Sequence, residues 1–284
     1  IWWIATLGLY SLFFGSRLID SNYTRNILVN VYFMLMIPKL IIALVFGIAS
    51  IIKGVRLIFK KKKNPIFPDA TQMDRRNFTS KLALGMAAIP LGTMLYGIVK
   101  TAYDFKIHRP RMKFKNLPAA FDGFKIVQLS DIHTGSLQNN RQIQKAVDLV
   151  MEEKPDMIVF TGDLVNNRTD EAFPFISILS QLSAPHGVFS VLGNHDYGDY
   201  EKWSSEAEKV KNMDQMHDLH KKLGWNLLLN EAVSIEKNGD KFALLGVENW
   251  GKSKYFPKYG KLKETLEGTE AFDFKILLSH DPSH

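Results

Sequence analysis

The chain of 284 residues carries 36 Lys and Arg against 29 Asp and Glu, a formal net charge of +7, and no cysteine. The missing thiols exclude disulfides, thiolate nucleophiles and cysteine-based zinc sites. Charge is segregated: 18 basic and 4 acidic residues precede Ala119, and 18 basic and 25 acidic follow from it, which argues against a nucleic-acid-binding module and for a membrane region with charged flanks.

Three apolar stretches come first. Residues 1–14 read as the tail of a transmembrane helix, and a preceding segment is expected because the sequence opens on Ile inside an apolar run. Residues 27–52 exceed the roughly 20 needed to cross a bilayer. Their interruption, Pro38-Lys39, reads as a kink with Lys39 facing another helix or snorkelling; a transporter would rest on Lys39 alone. Residues 82–99 are rich in Gly and Ala, which suits close helix packing, with a buried soluble helix as the alternative. The loop between the second and third stretches holds Lys53, Arg56, Lys60 to Lys63, Arg75, Arg76 and Lys81, whereas the earlier loop holds Arg17, Asp20 and Arg25. The positive-inside rule then puts the 53–81 loop in the cytoplasm and the acidic part outside it. A basic run after the third stretch (Lys106, Arg109, Arg111, Lys113, Lys115) weakens that assignment without reversing it. Asp74-Arg75-Arg76-Asn77-Phe78 resembles a twin-arginine export signal, which gives the same side. The expected organisation is a transmembrane helical region over 1–105, a basic linker over 106–123 and a catalytic-type domain over 124–284.

From Phe124 the pattern becomes alternating strands and helices. Strands are predicted at 125–129, 157–160 and 188–192. Helices are predicted at 141–153, where Ile143, Ala146, Val147 and Val150 have helical spacing, and at 173–182. This order implies parallel strands with helical crossovers. A polar helix over 204–222 follows, carrying His217 and His220, which read as part of a solvated face. Strands at 232–235, 242–247 and 274–278 complete the series. The chain stops at Ser279-His280-Asp281-Pro282-Ser283-His284, where further sequence is expected.

The strand ends carry the chemistry. The first runs into Ser130-Asp131-Ile132-His133, the second into Thr161-Gly162-Asp163, the third into Gly193-Asn194-His195-Asp196, and the last into Ser279-His280. Open α/β sheets bind ligands at that edge. Carboxylates converging on one point repel unless cations neutralise them, and oxygen and nitrogen donors without sulfur suit Mn²⁺, Fe or Zn²⁺. Asp163, placed centrally, could bridge two ions.

These four motifs resemble those of the calcineurin-like metallophosphoesterases, most closely the bacterial membrane-anchored phosphodiesterase-like branch, over residues 124–284. The resemblance implies a four-layer α/β/β/α sandwich and a two-metal centre. It implies that Asp131, His133 and Asp163 hold one divalent ion and that Asp163, Asn194 and His280 hold the other. It makes His195 the catalytic imidazole and Asp196 the group that orients it. The family also closes its site with a downstream Gly-His-x-His motif, which this sequence lacks. The residues present are therefore expected to bind at most one ion tightly, on the Asp131/His133/Asp163 side, with two-metal hydrolysis expected only of a longer chain that carries those imidazoles. His284 is a poor substitute by position. The implied activity is hydrolysis of a phosphomonoester, phosphodiester or pyrophosphate bond by metal-activated hydroxide, and the tether favours a lipid-linked or envelope substrate. The rival is a non-catalytic membrane sensor or scaffold whose metal-binding domain recognises phosphate; His195 and Asp196 both speak against it.

Overall fold

Long apolar runs with few breakers fold as helices, and they account for the N-terminal unit of the computed structural model. The structure describes residues 2–16, 22–59, 71–100, 103–137, 139–252, 256 and 258–283; the chain divides into units Ile1–Lys106 and Ile107–His284. Of the residues used to orient the chain, Arg17, Asp20 and Lys60 to Lys63 lie outside the described residues, as does His284.

The first unit consists of α1 (Trp2–Ser16), α2 (Asn22–Phe59) and α3 (Thr71–Val99). Phe13 of α1 meets Tyr32 of α2 with ring centroids 4.7 Å apart. Among the described residues two helical stretches are long and apolar enough to cross a membrane, Ile27–Val55 and Arg76–Gly97. Pro38 and Pro90 both lie inside helices, and Arg75 and Arg76 fall within the first two turns of α3. Lys39 takes the first of its two expected environments: its ammonium donates to the Thr6 hydroxyl on α1, so a neighbouring helix supplies an acceptor where lipid cannot.

In the second unit, β1 (Ile126–Leu129), β2 (Met157–Phe160), β3 (Val188–Ser190) and β4 (Asn226–Leu227) form a parallel sheet in that order. The two-residue β4 gives no periodic signal and was not expected. A second sheet pairs β5 (Glu231–Lys237) antiparallel to β6 (Asp240–Gly246), which runs parallel to β7 (Lys275–Leu278). Alternation along β2 decides the layering. Ile158 and Phe160 pack with α4 (Asn140–Glu152), α5 (Ile176–Leu179) and α6 (Glu206–Leu223). Met157 and Val159 face the other way and share a core with Ile235, Phe242, Leu244, Phe274 and Leu278 of the second sheet region. The first three layers of the expected α/β/β/α sandwich are present, and the short α7 (Leu262–Leu266) packs against β5 and β6 of the second sheet.

Three sequence expectations change. The helix predicted over 173–182 is broken up: residues 173–175 close a 3₁₀ segment, Thr169–Phe175, with Pro174 inside it, and only the four-residue α5 is α-helical. The end of the predicted linker belongs to the domain core, with Phe121 1% exposed and edge-on to Phe242 at 4.7 Å. His220, read as solvated, is 1% exposed. Its Nδ1 lies 2.9 Å from the Met216 carbonyl, and its Nε2 has no hydrogen-bond partner among the described residues.

Burial therefore lowers the His220 pKa from 6.5 to about 4. The sign follows directly: above pH 6.5 the ring is neutral folded or unfolded, and the stability is fully present. As pH falls from 6.5 towards 4 the unfolded chain takes up the proton first, and stability is lost, in total about 3 kcal/mol. Thermal melting across this window should fall less steeply in His220→Leu than in the parent. Equal slopes would remove His220 as the cause.

Candidate metal centre

The parallel ladder places the chemistry. Leu129 pairs with Phe160 and Phe160 with Ser190, so β1, β2 and β3 finish side by side and their following turns share one edge. The ladder continues in those turns: Asp131 N–H donates to the Gly162 carbonyl at 3.0 Å, His133 N–H to the Asp163 carbonyl at 3.1 Å, and Thr134 N–H to the Leu164 carbonyl at 2.9 Å. Asp131, His133 and Asp163 are all left-handed, with φ of 54°, 48° and 59°. That conformation is sparsely populated by residues other than glycine, and such strain persists where surrounding bonds over-determine it. These are three of the five predicted ligands.

Two glycines let the turns approach. Gly162 has φ 94°, and a Cβ on it would sit 2.4 Å from the Gly193 nitrogen; a Cβ on Gly193 would sit 2.2 Å from Asp163 Oδ1. Asp163 is 3% exposed, and its two oxygens have different tasks. Oδ1 accepts the His195 N–H at 2.9 Å. Oδ2 stands 3.5 Å from His133 Nε2 and 3.4 Å from His280 Nε2. His133 Nε2 is also 3.9 Å from Asp131 Oδ1, and ligand atoms of Asp131, Asp163 and His280 lie within 4.8 Å of one another.

His280 arrives from the second sheet, just past β7. Its Nδ1 lies 2.8 Å from the Thr161 carbonyl, and its Nε2 lies 3.2 Å from Asn194 Oδ1. A ring that donates from one nitrogen to a carbonyl presents the other as a metal ligand. The Asn194 amide is turned the same way, because its Nδ2 donates to the Tyr200 phenol at 3.0 Å. Two carboxylates, two imidazoles and an amide oxygen thus converge around one shared carboxylate oxygen, a donor set that fits two divalent cations. The charges of these donors are coupled to one another. Burial opposes ionisation of Asp163, yet hydrogen bonds from His280 and the His195 backbone, with the charge of His280, hold its pKa below the usual value. Burial likewise opposes charge on His280, and the Asp163 carboxylate outweighs it, holding the imidazole at about 9.

His195 stands beside the ligands, its ring edge-on to His133 at 4.9 Å and 5.0 Å from Tyr200. The group that orients it is not Asp196. His195 Nδ1 lies 2.6 Å from the Asn166 backbone carbonyl. Asp196, fully buried, spends both oxygens on backbone N–H groups: Asp163 at 2.8 Å and Gly193 at 2.9 Å on Oδ2, Leu164 at 2.8 Å and Val165 at 3.2 Å on Oδ1. Burial, then the neighbouring Asp163 charge, push its pKa up to about 7 against the pull of those donors. The expected orienting role is corrected to a structural one: Asp196 ties the turn after β2 to the turn after β3. Its presence no longer argues for catalysis over phosphate recognition, and that argument passes to His195 alone. Tyr200 and the carbonyls of Asn166 and Thr161 were not among the residues expected at the site. A backbone carbonyl carries no sequence signal.

Two family models match. One, "Probable Calcineurin-like phosphoesterase, transmembrane domain", covers residues 1–102; the other, "Calcineurin-like phosphoesterase", covers residues 124–284. The chain is 27% identical over 192 residues to a transmembrane protein with metallophosphoesterase domain from Danio rerio, covering 66% of this chain and 42% of that one. It is 35% identical over 135 residues to the uncharacterized metallophosphoesterase YkuE of Bacillus subtilis, covering 45% and 47%. It is 37% identical over 83 residues to the UDP-2,3-diacylglucosamine pyrophosphatase LpxG of Chlamydia muridarum, covering 29% and 25%. The chain spans about half the length of the first two relatives.

Proposed function

Because the chain belongs to the calcineurin-like phosphoesterase family, we propose that it is a membrane-anchored, two-metal phosphoesterase whose site lies outside the cytoplasm. The observation that carries this reading is Asp163 Oδ2, set between His133 Nε2 and His280 Nε2 with His195 alongside. Asp131, His133 and Asp163 would hold one divalent ion, and Asp163, Asn194 and His280 the other. Bound there, the ions would supply activation of water and neutralisation of charge at phosphorus.

The chain's own residues supply the rest. His195, with Nδ1 held at the Asn166 carbonyl, keeps Nε2 for the substrate. From there it donates to a phosphoryl oxygen as negative charge grows, or protonates the leaving group. Tyr200 and Thr161 hold Asn194 and His280 in the orientations that face Asp163. The bond cleaved is a phosphomonoester, phosphodiester or pyrophosphate. A lipid-linked or envelope substrate is favoured by the apolar helices and by the likeness to LpxG, whose name specifies a diacylated nucleotide sugar.

One experiment addresses chemistry and side together. Right-side-out vesicles bearing the full-length protein should hydrolyse a membrane-impermeant aryl phosphodiester in Mn²⁺, and EDTA should abolish the activity. Turnover that appears only after permeabilisation would put the site in the cytoplasm. Absence of turnover in Mn²⁺-loaded, detergent-solubilised protein would refute the hydrolase reading.

A further inference from the structure

Most of the chain from Ala119 onward is acidic, with 25 Asp and Glu against 18 Lys and Arg, and an anionic surface would repel it. Residues 106–115 are the exception. They contain Lys106, Arg109, Arg111, Lys113 and Lys115 and no carboxylate. Every residue from 104 to 116 is exposed and lies outside any helix or strand. Among the cations stand apolar side chains that also face solvent: Ile107 at 36%, Met112 at 70% and Phe114 at 49% exposed.

The run is fixed to its own domain at both ends. Arg109 pairs with Glu153, the residue that caps the C-terminus of α4, Nε to Oε2 at 3.0 Å. Phe114 meets Phe274 at 5.1 Å, and Asn116 Nδ2 donates to the Asp273 carbonyl at 2.6 Å. Between these anchors Arg111, Met112 and Lys113 project with no ion pair among the described residues.

Its position along the chain names the partner. The apolar stretch of α3 ends at Gly97, and the Lys100 ammonium lies 5.4 Å from the ring centroid of Tyr96, itself 57% exposed. An aromatic ring and a lysine at a span's end mark the membrane–water boundary. From Lys100 to Lys106 the chain can extend at most about 20 Å, so the basic run begins within reach of the headgroups whatever path it takes. Each Lys or Arg near an anionic leaflet strengthens binding by roughly five-fold, and the effect fades within a Debye length of about 10 Å.

We propose that the basic-apolar run over residues 106–115 is a docking surface for anionic lipid headgroups, seating the otherwise acidic domain on the bilayer. Arg111 and Lys113 supply the charge and Met112 the apolar contact. The proposal concerns the membrane surface and does not depend on turnover at the metal centre.

The absence of cysteine makes the test clean, because Met112→Cys gives a single site for a polarity-sensitive dye. The labelled full chain is reconstituted in phosphatidylcholine and in an equimolar phosphatidylcholine–phosphatidylglycerol mixture. In the mixture the emission should shift to the blue and be quenched by a headgroup nitroxide; neutral lipid or high salt should abolish both effects. Adding Arg111→Glu and Lys113→Glu should weaken the docked fraction by more than 25-fold, on about five-fold per cation removed, with the melting profile checking that the variant folds. Identical spectra in the two lipids would overturn the proposal, as would a phosphatidylglycerol response that survives the double reversal.

Discussion

Replacing His195 with alanine is expected to slow hydrolysis of an aryl phosphodiester by roughly 10²–10⁴-fold, the range for losing a positioned acid, while bound divalent metal stays at the parent level. The separation follows from geometry. The His195 ring is held through Nδ1 by the Asn166 carbonyl, and the shared oxygen of Asp163 faces His133 and His280 instead. The His195 N–H that reaches Asp163 Oδ1 is backbone, so alanine keeps it. Turnover and metal content measured on one preparation decide the matter. Unchanged turnover would remove His195 from the chemistry; lost metal would make it a ligand.

Asp196→Ala should act on a different quantity. Its carboxylate accepts from four backbone N–H groups in a fully buried position, and alanine would leave those donors buried and unmet. One such donor costs about 1–3 kcal/mol; with partial relaxation, a loss of about 4 kcal/mol or more is expected. That lowers the melting temperature by roughly 8–16 °C in a domain of this size. Melting both proteins in EDTA keeps metal loss out of the comparison. A variant that melts with the parent yet turns over a hundred-fold more slowly would reinstate Asp196 as the group that orients His195.

The contrast between these neighbours shows which features the residues announce. The strand at 157–160 and the donors at the four strand ends were legible, because apolar runs and the side chains that follow them are written directly in the sequence. The role of Asp196 was not. Its partners are main-chain N–H groups at 163, 164, 165 and 193, and an N–H at those positions looks like one anywhere else. The same holds for the Asn166 carbonyl behind His195. His220 was legible in principle: Met216, Leu219 and Leu223 define the buried face of α6, and helical spacing puts position 220 beside them. The charged residues at 218, 221 and 222 drew the reading towards solvent. At 173–182 the apolar spacing was helical, but Pro174 lies within a 3₁₀ segment.

Gly162 and Gly193 touch main chain to main chain, with no room for a Cβ on either. The distance between the turns that carry Asp163 and Asn194 is therefore set by backbone thickness, not by any side chain that selection could exchange. Descendants of this chain are free to vary the donors, the cation and the leaving group around a gauge that stays constant. Innovation at this edge is cheap in chemistry and closed in spacing, so relatives acting on dissimilar phosphoesters should superimpose here more tightly than in the loops that choose the substrate.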